Sequence, residues 1–375
     1  MNRILTFLKK EPMLAVAAAA ALLSLFITPP GAYLLEAIDW KTLAILFMLL
    51  SVLDGFKNED LFLPVIRLAS RIKTWRGLSF FLVYGVFFSS MFVTNDVSLI
   101  IFVPLTILLL RDGGREQFIL PLLAMENVAA VRGSLLTPFG SPQNLFLYSQ
   151  SGISTPDFLG MMLPLWLGSM GLIALFLLFI FRKNPRERAV YGAAERKEWL
   201  PQGRVRRASY LLLFAAVLLT IVTRTALWPW VTLGVALVLL AVDRQVFRRV
   251  DYVLLLTFLC FFVFSSSVAA NPRISAFLHE AVAGREYWWS IGVSQLISNV
   301  PASIVLWPFT AELKPLIYGL DTAGLVTVIG SLASVINLRL YTREYPGQGG
   351  RFLKAFELYS LCFFVIVAPL QLLLL

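Results

Sequence analysis

Apolar runs long enough to cross a bilayer recur along this chain, and several are broken midway by Asn, Ser, Thr, Gly and Pro. That combination is the strongest constraint on the fold. A helix needs about 20 apolar residues to cross the hydrocarbon core, and an unpaired backbone amide or carbonyl is costly there. Such a chain folds as a bundle of membrane helices, and its breaks must be buried in protein or line a wet cavity.

Composition agrees. Hydrophobic residues make up 58% of the chain and charged residues 14%, against about 45–50% and 25% in a soluble domain. The formal charge of +10 does not mark a nucleic-acid binder, because Lys and Arg gather in alternate loops, as the positive-inside bias requires.

Uninterrupted spans are predicted at 13–28, 40–53, 158–181, 209–222, 227–242, 252–270 and 356–375. The first follows a basic start without a small-residue cleavage pattern, so it is read as a retained helix. Regions 117–150 and 321–342 are read as broken crossings. Regions 78–110 and 287–313 carry polar residues midway and are too long for one helix, so each is read as two half-length helices meeting at a turn, a re-entrant hairpin. With the N-terminus on the inner, cytoplasmic side, most of the 32 Lys and Arg residues fall inside, including the polar run 183–207, read as a cytoplasmic linker. Segments 61–76 and 271–286 are read as interfacial arms preceding the two hairpins.

The chain also repeats itself. Gly133-Ser134-Leu135 followed by Asn144-Leu145-Phe146-Leu147-Tyr148-Ser149 is echoed by Gly330-Ser331-Leu332 and Asn337-Leu338-Arg339-Leu340-Tyr341-Thr342. Upstream stand matching hairpin tips, Thr94-Asn95-Asp96 and Ser298-Asn299-Val300. One hairpin opens inward and the other outward, so the expected fold is all-α and polytopic with two inverted-topology repeats, 1–182 and 208–375. Paired inverted repeats with interrupted helices point to a secondary transporter whose site lies at the repeat interface.

Thr94-Asn95-Asp96-Val97-Ser98-Leu99, the segment Leu136-Thr137-Pro138-Phe139-Gly140-Ser141-Pro142-Gln143-Asn144 and the tip Ile297-Ser298-Asn299-Val300-Pro301 together resemble the signature segments of the ion transporter superfamily. Its branches include divalent-anion/sodium symporters and citrate permeases, arsenite-efflux permeases and sodium/proton antiporters. The resemblance implies a homodimer in which a scaffold domain holds a sliding transport domain, the elevator mechanism. Tips in the citrate and dicarboxylate branch read Ser-Asn-Thr. Here Asn is kept at both tips and the third position departs, with Asp96 more like the arsenite-efflux branch, where protons drive coupling.

The candidate binding residues are Thr94, Asn95, Asp96, Thr137, Gly140, Ser141, Asn144, Ser298, Asn299, Ser331, Ser334 and Asn337. Asn, Ser and Thr offer donors and acceptors without fixed charge, which suits binding that must also release. Each also has a plainer reading, as turn former or close-packing residue. Asp96 at membrane depth costs at least about 2.5–3.5 kcal/mol, so it is a functional candidate by default; it equally fits as a helix cap. Glu126 and Arg132 are the other deep charges, read as a partner pair or a gate, and Arg339 as a residue snorkelling to the inner surface. A proton at Asp96, or sodium at Asn95, Asn299 and the adjacent breaks, is the expected coupling ion. No organic cofactor is expected.

The leading expectation is a secondary active transporter in a bacterial inner membrane, moving a small anionic solute such as a carboxylate or oxyanion. Alternatives are a sodium/proton antiporter, an arsenite-type efflux permease and a channel. An enzyme is disfavoured by a single histidine, His279, by the lack of a zinc-protease or phosphate-loop motif, and by the reading that no second Asp lies at depth. A separate ATPase partner stays open.

Overall fold

The computed structural model describes residues 11–29, 31, 34, 36, 38–61, 68–69, 72–183, 187–189 and 203–375. The N-terminal basic residues, most of the 183–207 linker and part of the 61–76 arm lie outside the described residues.

The described residues form helices joined by turns, with one isolated β-bridge between Thr74 and Arg188. The first half contains α1 (Pro12–Ile27), α2 (Trp40–Asn58), α3 (Trp75–Val93), α4 (Asn95–Asp112), α5 (Ile119–Gly133), α6 (Pro142–Ser151) and α7 (Thr155–Ile180). The second contains α8 (Arg204–Thr223), α9 (Trp228–Val242), the single turn α10 (Val246–Arg249), α11 (Tyr252–Ala269), α12 (Pro272–Val282), α13 (Glu286–Ile297), α14 (Asn299–Leu306), α15 (Leu313–Ala323), α16 (Leu332–Glu344) and α17 (Gly349–Leu372). Among the described residues, 6 helical stretches are long and apolar enough to cross a membrane. The chain is an all-helical, polytopic membrane protein.

The ends follow from local chemistry. Asp39 accepts from Thr42 N at 2.9 Å and starts α2, Asp251 accepts from Leu254 N at 2.9 Å and starts α11, and Asn271 caps α12. Helices α2, α8 and α17 run beyond their apolar windows into Lys57 and Asn58, Arg204 to Arg207, and Gly349 to Lys354. Long basic side chains tolerate this because their stems stay apolar while their heads reach water.

At the centre stands α5, buried nearly all round, with α3, α4, α7, α15, α16 and α17 packed against it. In the second half α13 packs on α15, while α1 lies along α11 and α2 along α8 and α9. Two glycines permit close helix-to-helix approaches. A methyl group on Gly133 would lie 2.0 Å from the Phe87 carbonyl oxygen, and one on Gly319 would lie 2.4 Å from the Tyr287 carbonyl oxygen. Only glycine lets these helices meet backbone to backbone.

Two expectations change here. The arms of the first hairpin are not half-length, for α3 has 19 residues and α4 has 18, each about 28 Å at 1.5 Å per residue. The serines near the turn leave the helices intact: Ser90 donates to Phe87 O, and Ser89 and Ser98 bond across the turn at 2.8 Å. Only Thr94 interrupts the helix. The arms of the second are short, with 12 and 8 residues.

The two Gly-Ser-Leu triplets also occupy different elements. Gly133 ends α5, whereas Gly330 ends a short turn and is separated from the start of α16 by Ser331. Contacts instead pair Gly140-Ser141 with Gly330-Ser331. A methyl group on Gly140 would meet Ser134 O at 2.1 Å, one on Gly330 would meet Ala323 O at 2.2 Å, and Ser141 and Ser331 both lead into a helix in extended conformation.

Candidate functional site

Four chain breaks build the site. At the first hairpin tip Thr94 adopts φ 71 and ψ 157, and at the second Ser298 adopts φ 70 and ψ 157. This region is nearly reserved for glycine and costs about 1–3 kcal/mol for other residues. The turn lets α4 begin at Asn95 and α14 at Asn299.

The broken crossings hold these tips. Asn95 N donates to Gly140 O at 3.2 Å, and the Thr137 hydroxyl donates to the Met91 carbonyl three residues before Thr94. On the other side the Thr327 hydroxyl donates to Gln295 Oε1 at 2.7 Å, three residues before Ser298, and Asn299 Nδ2 donates to Leu320 O at 3.3 Å. Each tip is thus clamped by a threonine of the neighbouring break.

Asn95, Asp96, Ser298, Asn299 and Ser331 line one cavity of about 520 Å³, within the range of small-molecule sites. Its wall also carries Gln143, Glu11, Asp251 and Arg339. Residues at the starts of α4, α6, α14 and α16 therefore face the same space, bringing four partial positive helix ends together. One Asp96 carboxyl oxygen and the Ser298 hydroxyl are buried there without protein partners.

The other expected residues stand behind this wall. Thr94 sets the turn, Thr137 and Gly140 hold the first tip, and Asn144 Nδ2 donates to Leu135 O at 3.4 Å. Ser141 Oγ is buried and unpartnered. Ser334 accepts from Asn127 at 3.0 Å, and Asn337 donates to Leu123 O at 2.8 Å, so both tie the second break to α5.

The expected pairing of Glu126 with Arg132 is absent. Glu126 accepts from the Thr106 hydroxyl, while Arg132 donates to Ser169 Oγ at 2.9 Å, Thr322 Oγ1 at 3.2 Å and Asp321 O at 3.3 Å. Six residues along a helix turn the two side chains to different faces. Asp321, placed at the edge of the second broken crossing by the apolar count, is 1% exposed. It is a second deep Asp, and Gln143 Nε2 donates to it at 3.0 Å. Arg339, expected at the inner surface, lies on the cavity wall and pairs with no described residue.

Gln143 and Asp251 were not marked by sequence. Gln143 directly follows the break at Ser141-Pro142, which was a usable signal. Asp251 caps α11, and only the tertiary fold brings it to the cavity.

Residues 4–341 match the citrate transporter family, CitMHS. The chain is 33% identical to inner membrane protein YbiR of Escherichia coli (strain K12) over 309 residues, 81% of this chain and 80% of that one. It is 30% identical over 317 residues, 84% of each chain, to an uncharacterized transporter of Methanocaldococcus jannaschii. A shorter match, 32% over 151 residues, spans 40% of this chain and 30% of a silicon efflux transporter of Oryza sativa subsp. japonica. With the family match running from residue 4 to residue 341, the chain is an integral membrane transporter that belongs to the citrate transporter family.

Proposed function

We propose that the protein is a secondary active transporter of a small oxyacid, either a carboxylate or an inorganic oxyanion, coupled to protons or sodium. The observation that carries this reading is the meeting of four helix starts, two from each half, on one polar cavity. Helix starts favour negative charge and offer free amides to oxygen atoms. Asn95 and Asn299 then grip the solute from the two tips, and Arg339 adds the one cationic side chain among the described residues of the wall.

Glu11, Asp96 and Asp251 face the same space, so a multiply charged anion meets opposition unless a cation enters with it. This supports coupling to a proton at Asp96, or to sodium near Ser141, Asn144 and Ser298, whose side-chain oxygens are buried without partners. The likeness to a rice silicon efflux transporter adds silicic acid to the solutes worth testing, alongside the arsenite-type efflux suggested by the tip sequence. The same acidic wall favours, as a second reading, a sodium/proton antiporter.

The matched tip clamps support two inverted repeats with re-entrant hairpins, and the basic loops and the Escherichia coli relative support a bacterial inner membrane with the N-terminus in the cytoplasm. Transport then follows an elevator movement of the tips and breaks within a homodimer.

The test is solid-supported-membrane current from reconstituted protein, scanning citrate, dicarboxylates, arsenite and silicic acid under separate proton and sodium gradients. A solute-dependent current that Asn95→Ala and Asn299→Ala abolish supports the reading. Sodium-driven proton movement with no solute makes the protein an antiporter instead.

A further inference from the structure

Glu126 is a carboxyl group that the cavity does not use. It lies 0% exposed in α5, which belongs to the most enclosed of the six membrane-length helical stretches. One carboxyl oxygen accepts from Thr106 of α4, and the other is buried with no partner.

No cation compensates it among the described residues. On the helices packed around α5, Tyr84 donates to Met170 O, Lys314 to Leu374 O and Tyr318 to Met161 O, while Arg111 pairs with Glu344 and Arg351 donates to Gln348. Asp96 and Arg339 face the cavity, and Asp321 is held by Gln143. Asp157 sits at the Ser154 cap and Tyr341 donates to Gln348. Arg76, Asp112, Arg343, Lys354, Glu357 and Tyr359 make no hydrogen bond or ion pair to Glu126. Arg132 of α5 itself is committed to Ser169 and Thr322.

An ionised carboxylate so placed bears a desolvation penalty of several kcal/mol with nothing to offset it. A proton removes the charge and adds a hydrogen-bond donor. Asn127 Oδ1 and Asn337 Oδ1 are also buried without partners. The location matters as well. Thr106 belongs to the first hairpin, while Asn337, through Leu123 O, and Ser334, through Asn127, belong to the second break.

We propose that Glu126 is a second proton-binding site, separate from the solute cavity and neutral in this conformation, whose protonation is linked to the seating of α4 and α16 on α5. One proton is taken from water and later returned to it, and no other bond changes. The coupling role rests on the transporter reading; the protonation state does not.

Infrared spectroscopy of the full chain in lipid tests the second point alone. In an Asp96→Asn/Asp321→Asn background at neutral pH, a deuterium-sensitive stretch of a protonated carboxyl is expected, and adding Glu126→Gln should remove it. Absence of the band, or its survival in Glu126→Gln, overturns the proposal.

The coupling is read in proteoliposomes with citrate, arsenite and silicic acid as probes. Glu126→Gln should keep solute exchange while protons moved per solute fall by one relative to wild type, and an unchanged ratio overturns the coupling role. If wild type exchanges none of these solutes, the transporter reading fails for these solutes and the infrared result still decides the protonation state.

Discussion

Thr94 and Ser298 hold the same backbone conformation, φ 71, ψ 157 and φ 70, ψ 157, at the tips of two hairpins whose arms differ greatly in length. Neither is glycine, so each tip carries strain that the surrounding clamps must hold. Thr94→Gly removes that strain, at a chain-entropy cost of about 0.5–1 kcal/mol. Thermal unfolding in detergent should show stability unchanged or raised by up to about 2 kcal/mol, with transport reduced because the tip is less fixed. A large loss of stability would show that Thr94 is not strained.

The glycine contacts make a contrasting prediction. Gly133→Ala and Gly319→Ala force a methyl group onto the backbone oxygens of Phe87 and Tyr287, and overpacking of this kind costs about 1–3 kcal/mol. Gly160→Ala and Gly171→Ala meet nothing within 4 Å and should be neutral or slightly stabilising. Melting temperatures of the four variants, measured side by side, check the contrast.

Arg339 separates the solute readings. For an anionic solute, Arg339→Gln should raise the half-saturating concentration about tenfold, equivalent to about 1.4 kcal/mol, and leave the maximal rate less affected. For a transported cation the same change should strengthen binding. Concentration dependence of the transport current distinguishes the two.

At one end of the bundle Asp243 accepts from Tyr210 at 3.0 Å and from Arg249 at 2.8 Å, while Arg249 also reaches Asp54 at 2.6 Å. Burial pushes the Asp243 carboxyl up, but the bonds from Arg249 and Tyr210 outweigh it and hold the group below its ordinary value. A depressed carboxyl stabilises the fold above its unfolded-state value, near pH 4, and that contribution disappears as pH falls through the lower folded-state value. Asp243→Asn should therefore lower the melting temperature at neutral pH and flatten its dependence on pH below about 4. An unaltered acid profile would exclude Asp243 as its source.

Much of this was legible in sequence because membrane burial writes itself into long apolar runs. The helix at 13–28 appears as Pro12–Ile27 and that at 252–270 as Tyr252–Ala269. The breaks at Thr94, Ser141 and Ser298 were also visible, since polar residues and proline in apolar surroundings need a local reason. The full length of the first hairpin's arms was not, because the apolar count stopped short of Arg76, Arg111 and Asp112, which the helices include. The partners of Arg132 and the depth of Asp321 depend on helices distant in the chain, and no apolar count reports that. Repeat register failed for a related reason. Identical triplets drew the eye to Gly133 and Gly330, while the contacts relate Gly140 to Gly330.

The short stretch after α7 binds the first hairpin at its base. Trp75 N donates to Glu187 O at 3.1 Å, Ala189 N donates to Lys73 O at 2.9 Å, and Arg115 pairs with Glu187. Chain entering α3 and chain leaving α4 are thereby laced to one point, like the two ends of a drawstring. The hairpin has a fixed heel, while its toe is held by Thr137 and Gly140 of the neighbouring break. An excursion of Asn95 and Asp96 must therefore either carry that break along or release it, and tension on the lacing limits how far the pair can travel.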